Sequence, residues 1–135
     1  MDQRKQKSGK QKVEMGGRLP EGFRGRAKRY AASTIRLFVK LPKQREEVRV
    51  LGKQLLRSGT SVAAHVREAC RARSDDEFVS KLGGALQEAD ESALWLELLR
   101  EECGADPALT KPLETESSEL IAIFTTMINR TKGRA

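Results

Sequence analysis

A row of basic side chains is the feature of this sequence best suited to binding a ligand. Five cations follow one another at helical spacing: Arg49, Lys53, Arg57, Arg67 and Arg71. With about 100° between successive residues, they share one flank of a predicted helix, and the row is about 33 Å long. Because like charges four residues apart repel each other, the row favours an anionic partner.

Three surroundings would suit this row. Nucleic-acid phosphates would bind it with release of counterions, which favours RNA or DNA as partner. Carboxylates of the following helix, in the same or another subunit, are the second alternative, and water is the third. These carboxylates belong to Glu88, Asp90, Glu91, Glu97, Glu101 and Glu102. No aromatic residues interleave with the cations, so we expect any nucleic-acid contact to be with the backbone and weakly sequence-specific.

The sequence gives little support to catalysis. His65 is the single histidine, and Ser58 and Ser61 lie near it without the spacing that would enforce a carboxylate–histidine–serine arrangement. The sequence has neither a glycine-rich phosphate loop nor metal-ligand spacing. We therefore expect a protein that is not an enzyme, with no catalytic residue, no metal and no cofactor.

The cysteines and the hydropathy pattern indicate a cytoplasmic protein. Cys70 and Cys103 are predicted near opposite ends of a helical hairpin, whereas a disulfide requires Cα atoms within about 7 Å. No apolar run approaches the roughly 20 residues of a membrane span, so we expect no membrane contact.

Charge is distributed unevenly along the chain. Residues 1–73 contain 20 Lys or Arg and 6 Asp or Glu, whereas residues 74–135 contain 6 and 13. Such asymmetry is typical of polyanion binding, or of subunits that meet through opposite charges. Residues 1–22 are basic and have almost nothing to bury, so we expect a disordered tail that either gathers nucleic acid or only aids solubility.

Apolar periodicity predicts four helices and no strand. They cover residues 25–41, 44–72, 75–103 and 111–132, each to within a few residues. Because short links make consecutive helices antiparallel, we expect residues 23–135 to form one domain, an all-α, up-down-up-down four-helix bundle.

Local signals add detail to this outline. Ser74 and Glu77 form a predicted capping box at the start of the third helix. The first helix is expected to bury Ala27, Tyr30, Ala31, Thr34, Ile35, Phe38 and Leu41. Gly83 and Gly84 indicate either close approach of a neighbouring element or a kink in the third helix, and both interpretations stay open.

The second half of the third helix is apolar nearly all round. Leu94 and Leu98 lie far from its predicted buried stripe, and Trp95 widens the apolar surface further. A helix with this pattern does not face water alone. We therefore expect Leu94, Trp95 and Leu98 to form an oligomer interface, with an unusually wide internal core as the alternative.

The central hairpin resembles the bacterial four-helix-bundle protein family, also labelled the rRNA intervening-sequence protein. The residues that carry the resemblance are Gly52–Ala64, Arg67–Ser74, Glu77–Phe78 and Glu88–Leu99. It extends from about Arg26 to Lys132, and the sequence is similar to the accessory variability protein of diversity-generating retroelements.

This resemblance implies a small cytosolic bundle that assembles as a homo-oligomeric ring, a homopentamer, with a basic surface. Members of the retroelement branch bind nucleic acid and a reverse transcriptase, so these are the implied partners. The family provides no catalytic residues. His65 and Val66 stand where the family usually has Asn followed by Tyr or Ile, and the basic leader before Arg26 lies outside the family pattern.

Overall fold

The computed structural model describes residues 17–133, which form four helices. These are α1 (Glu21–Lys40), α2 (Glu46–Cys70), α3 (Asp75–Glu102) and α4 (Pro107–Thr131). Each helix packs against the next along the chain, and α1 also packs against α4, so that the bundle closes. The described residues contain no strand. The predicted all-α four-helix bundle is confirmed, while the predicted disorder of residues 1–16 lies outside the described residues.

The folded body begins before the expected boundary at residue 22. Leu19 is only 5% exposed and belongs to the core. The Arg18 N–H donates to the carbonyl oxygen of Cys70 at 3.0 Å. The first helix then begins at Glu21 rather than near residue 25. Residues 17–22, expected in the tail, therefore belong to the bundle.

The fourth helix also begins earlier than expected, at Pro107 instead of near residue 111. The Asp106 side chain accepts a hydrogen bond from the Ala108 N–H at 3.0 Å and so caps the helix. Asp at the cap followed by Pro at the first helical position is a strong start signal. Pro112, expected at the opening, lies inside α4, where its missing N–H removes one backbone hydrogen bond.

The start of α3 follows the predicted capping box in part. The Glu77 N–H donates to Ser74 Oγ at 3.0 Å, as expected. Glu77 Oε1 accepts from the Arg73 N–H at 2.8 Å rather than from the N–H of Ser74. That backbone hydrogen bond is the main reason why the pKa of Glu77 lies below its usual value.

The core runs along the axis of the bundle. Its largest fully buried apolar residues are Leu55, Val62, Val66, Leu82, Leu96, Leu99, Leu120 and Phe124. On α1 the sequence prediction was wrong at one position, because Ile35 is 45% exposed whereas Leu37 is 3% exposed. The face that α1 buries between α2 and α4 includes Tyr30, Thr34 and Leu37, and Ile35 lies outside it.

A layer of buried hydroxyl groups crosses the bundle, with one contributed by each helix. Tyr30 Oη and Ser117 Oγ share a hydrogen bond of 2.6 Å between α1 and α4. Ser58 Oγ and Ser92 Oγ share one of 2.7 Å between α2 and α3. Because a buried polar group without a partner is costly, these pairs favour the arrangement in which all four helices are in register.

Two glycines mark close approaches between helices. A Cβ on Gly59 of α2 would lie 2.5 Å from Thr34 Cγ2 of α1. A Cβ on Gly84 of α3 would lie 3.1 Å from the His65 ring of α2, whereas one on Gly83 would meet nothing within 4 Å. Of the two interpretations of the Gly83–Gly84 pair, close approach therefore applies to Gly84.

The hydropathy of these helices gives no membrane segment. Among the described residues, none of the helices is both long and apolar enough to cross a bilayer.

Candidate nucleic-acid interface

The structure gives different surroundings to the five cations that were predicted to share one flank of α2. Lys53, Arg67 and Arg71 are exposed. Arg49 forms an ion pair with Glu46, one turn earlier in α2. Lys53 and Arg67 are 14 residues apart, which is about 21 Å along the helix axis.

Arg57 differs from the other four because it reaches α3 of its own subunit. Its Nη1 lies 3.8 Å from Glu88 Oε1, and its Nη2 lies 3.4 Å from Glu91 Oε1. The second of the three alternatives, pairing with the acidic flank of the next helix, therefore describes Arg57. Its role as a phosphate contact stays a prediction, like that of the other four residues.

Arg67 and Arg71 line a groove between α1 and α2, together with Arg24 and Lys28 of α1. The groove has a volume of about 750 Å³. All four cations are exposed, and none of them pairs with a carboxylate of residues 17–133. Small side chains line the groove between them, at Gly25, Ala63 and Ala64.

Two carboxylates also line this groove, and each has favourable interactions with groups other than the four cations. Glu68 Oε1 lies 3.1 Å from His65 Nδ1 and 3.6 Å from Lys81 Nζ. Glu21 lies in the first turn of α1, where a carboxylate interacts favourably with the helix dipole. The four cations therefore keep an excess of positive charge in the groove.

The contribution of α1 to this surface was missed by the sequence analysis. Arg24 and Lys28 are four residues apart on one exposed side of α1. The helix carries six Lys or Arg and one Glu over residues 21–40, which was a usable signal. The pairing of these cations with Arg67 and Arg71 depends on how α1 and α2 pack, and neither helix alone reveals it.

A second groove, of about 520 Å³, lies between α1 and α4. Its charged wall is formed by Arg29, Arg36 and Lys40 of α1, all exposed. Its apolar wall is formed by Leu37, Ala108, Leu109, Pro112 and Leu113. This groove combines positive charge with apolar surface, unlike the groove between α1 and α2.

Two arginine–glutamate ion pairs, each with two hydrogen bonds, connect α4 to α1 and to α3. Arg26 of α1 donates to Glu116 at 2.6 and 2.9 Å and to Glu119 at 2.7 Å. Arg100 of α3 donates to Glu114 at 2.9 and 3.0 Å. The hydrogen bonds from Arg100 hold the pKa of Glu114 below its usual value, against the opposing effect of burial.

The residues considered for catalysis do not form a reactive cluster. His65 Nδ1 is hydrogen-bonded to Glu68 at 3.1 Å. Ser58 is buried and bonded to Ser92. Within residues 17–133, no group of three or more His, Cys, Asp or Glu could hold a metal ion.

The predicted oligomer interface is partly accessible on α3. Leu94 is 46% exposed, whereas Trp95 and Leu98 are half-buried. Asp90, Glu97 and Glu101 are exposed on the same helix. The role of Leu94, Trp95 and Leu98 in assembly stays a prediction.

Comparison with known proteins relates this bundle to a family. A family model described as the 23S rRNA-intervening sequence protein matches residues 24–126. The chain belongs to the 23S rRNA-intervening sequence protein family. The match includes all four cations of the groove between α1 and α2.

A solved structure supports the assignment of this chain to the 23S rRNA-intervening sequence protein family. It is the crystal structure of a protein with unknown function from the S23 ribosomal protein family of Bacteroides thetaiotaomicron. The two chains are 34% identical and superpose with a TM-score of 0.69, covering 78% of this chain and 96% of the other. A comparison with curated proteins found no match.

Proposed function

We propose that this protein is a non-enzymatic, nucleic-acid-binding bundle that contacts the RNA or DNA backbone through the groove between α1 and α2. One observation carries the proposal: Arg24, Lys28, Arg67 and Arg71 converge on this groove from two helices. Arg67 and Arg71 belong to the row predicted from the sequence, and α1 supplies the other two.

The chemistry of the groove favours phosphates over bases. Arginine donates two parallel hydrogen bonds to a phosphate, and each neutralised phosphate releases counterions. The groove contains no aromatic side chain, so base stacking makes no contribution. We therefore expect similar affinities for duplexes of different sequence.

The test is a fluorescence-anisotropy titration of a labelled 20-base-pair RNA duplex with the full chain. The double variant Arg67→Ala/Arg71→Ala removes two of the four cations. We expect its affinity to fall by at least tenfold, because phosphate contacts contribute most of such binding energy.

The matched control removes two cations elsewhere. Lys111→Ala/Lys132→Ala changes the net charge equally at exposed positions of α4 and just beyond it. We expect this variant to bind almost as well as the original protein. Equal losses in the two variants would show that only overall charge matters, and that the groove is not the binding surface.

Assembly is the second candidate function, and the exposure of Leu94 favours it. We propose that the chain forms a homo-oligomer in which Leu94, Trp95 and Leu98 meet another subunit. The ring of five subunits implied by the family resemblance is the expected form, and the oligomer would present several basic grooves to one nucleic acid.

Light scattering coupled to size-exclusion chromatography tests this assembly. Leu94→Asp should reduce the mass toward the 15.1 kDa of one chain, because a charge would enter an apolar contact. Val39→Asp is the control, since Val39 is 69% exposed on α1. An original protein with the mass of one chain would refute the assembly.

A further inference from the structure

A histidine lies beside the basic groove between α1 and α2. His65 is the single histidine of the chain, and its half-buried ring rests against α3. A Cβ on Gly84 of α3 would lie 3.1 Å from this ring, so the glycine makes room for it. Histidine is the side chain whose charge ordinarily changes between pH 5 and 8. The edge of the groove therefore contains a group that responds to mild changes in pH.

His65 is bonded to one of the two carboxylates of the groove. Glu68 lines the groove, and its Oε1 lies 3.1 Å from His65 Nδ1. Because a carboxylate only accepts hydrogen bonds, the Nδ1–H donates whether the ring is neutral or charged. Protonation at Nε2 converts this contact into an ion pair with a stronger, charge-assisted hydrogen bond. The protonated ring therefore holds Glu68 more firmly and compensates its charge.

The other charged groups around this pair come from α3 and α1. Lys81 Nζ of α3 lies 3.6 Å from the same Glu68 oxygen. Glu88, further along α3, lies 3.8 Å from Arg57 Nη1. With a neutral ring, the charges of Lys81 and Glu68 cancel, and protonation of His65 leaves one positive charge in excess. On the opposite side of the groove, the charged residues of α1 are Glu21, Arg24 and Lys28.

We infer that His65 is a positioning residue that makes phosphate binding in the groove depend on pH, acting through Glu68. With a neutral ring, the Glu68 carboxylate repels an entering phosphate. With a protonated ring, the same carboxylate is paired with both His65 and Lys81 against α3, and its repulsion of phosphates falls. Nucleic acid should therefore bind more tightly at mildly acidic pH. This inference rests on the proposed nucleic-acid binding and is independent of the proposed assembly.

The expected change is modest because a single charge is added. Four cations already line the groove, and His65 adds one more positive charge at its edge. At 0.1 M salt, exposed charges interact over about 10 Å, so the added charge reaches only the nearest phosphates. We expect the dissociation constant to be about threefold lower at pH 5.5 than at pH 8.

The test is a titration of the labelled 20-base-pair RNA duplex with the full chain at these two pH values. In His65→Gln the ratio of the two dissociation constants should fall from about three to about one. Glutamine can still donate a hydrogen bond to Glu68, but it does not titrate. The α-amino group also titrates in this range, and its effect is common to both proteins. Circular dichroism should show the same helix content in both.

The two carboxylates of the groove provide matched variants. Glu68→Gln removes the charge through which His65 acts. This variant should bind the duplex more tightly than the original protein at pH 8, and its pH ratio should be clearly smaller. Glu21→Gln removes an equal charge from the α1 side of the groove. It should tighten binding at both pH values and keep the ratio of about three.

The possible results separate this inference from the proposed function. Binding that Arg67→Ala/Arg71→Ala weakens, with a pH ratio that His65→Gln leaves unchanged, would show that the groove is right and the regulation is wrong. A full pH ratio in Glu68→Gln would likewise overturn the regulation through Glu68. If the original protein does not bind the duplex at either pH, both the function and its regulation are wrong.

Discussion

The ionisation of the buried Tyr30 hydroxyl group reports on whether the bundle is folded. It is the one tyrosine of the chain, and its phenol is bonded to Ser117 at 2.6 Å. Burial raises the pKa of this phenol from its ordinary value of 10.0, and the hydrogen bond with Ser117 opposes the change only in part. The native state therefore holds the phenol proton more tightly than the unfolded chain does.

The sign of this effect predicts a loss of stability in alkali. Because the folded pKa is raised, the contribution is complete below pH 10 and is lost as the pH rises through the folded value. We expect tyrosinate absorbance to appear above pH 10, together with unfolding followed by circular dichroism. In Tyr30→Phe the corresponding part of the alkaline decline should disappear. A phenol that ionises near pH 10 in a folded bundle would contradict this description.

At the scale of the helices, two glycines with different surroundings test the close approach of α1 and α2. Gly59→Ala places a Cβ 2.5 Å from Thr34 Cγ2 and 2.8 Å from its Oγ1. We expect a loss of about 2 kcal/mol in the free energy of unfolding, since overpacked cores lose about 1–3 kcal/mol. Urea denaturation measures it.

Gly83→Ala is the matched variant in α3. A Cβ there meets nothing within 4 Å, so the gain in helix propensity should stabilise the bundle by about 0.5–1 kcal/mol. A free energy of unfolding higher in Gly59→Ala than in Gly83→Ala would show that α1 and α2 are farther apart than described.

The ion pair between α3 and α4 gives the bundle a dependence on acidic pH. Arg100 lowers the pKa of Glu114 from its usual 4.5. Glu114 therefore contributes stability above pH 4.5, and the contribution is lost as the pH falls through the lowered value. Both side chains are about one-fifth exposed (21% and 18%), so water screens the attraction between them in part.

Glu114→Gln should lower the free energy of unfolding by about 1 kcal/mol at pH 7, and by less at pH 3. Denaturation with urea at the two pH values measures the difference. Glu102→Gln, an exposed position at the end of α3, should have almost no effect. A Glu114→Gln variant as stable as the original protein at pH 7 would show that the Arg100–Glu114 ion pair does not stabilise the bundle.

At the scale of the whole molecule, the fold could be predicted because each helix has its own local sequence signals. Apolar periodicity identified four helices, and Ser74 marked the beginning of α3 through a cap that the structure confirms. The start of α4 was misplaced because Thr110 and Pro112 were preferred to Asp106 and Pro107 as the opening signal.

The candidate site was less predictable, because it depends on how helices rotate against one another. A wheel drawn for α2 alone grouped Arg57 with Arg67, yet Glu88 and Glu91 of α3 lie within reach of Arg57. The same limit explains Ile35, which is apolar and at helical spacing but lies outside the face that α1 buries. Packing between elements, rather than any local signal, brings Arg24 and Lys28 to Arg67.

The salt dependence of RNA binding is the most direct test of the basic groove between α1 and α2. For the labelled duplex, the logarithm of the association constant should fall linearly with the logarithm of salt concentration, by about 0.9 for each phosphate contact. We predict that Arg67→Ala/Arg71→Ala reduces this slope by about 2, whereas Lys111→Ala/Lys132→Ala leaves it unchanged. An unchanged slope in the Arg67→Ala/Arg71→Ala protein would contradict the central claim that these side chains bind phosphates.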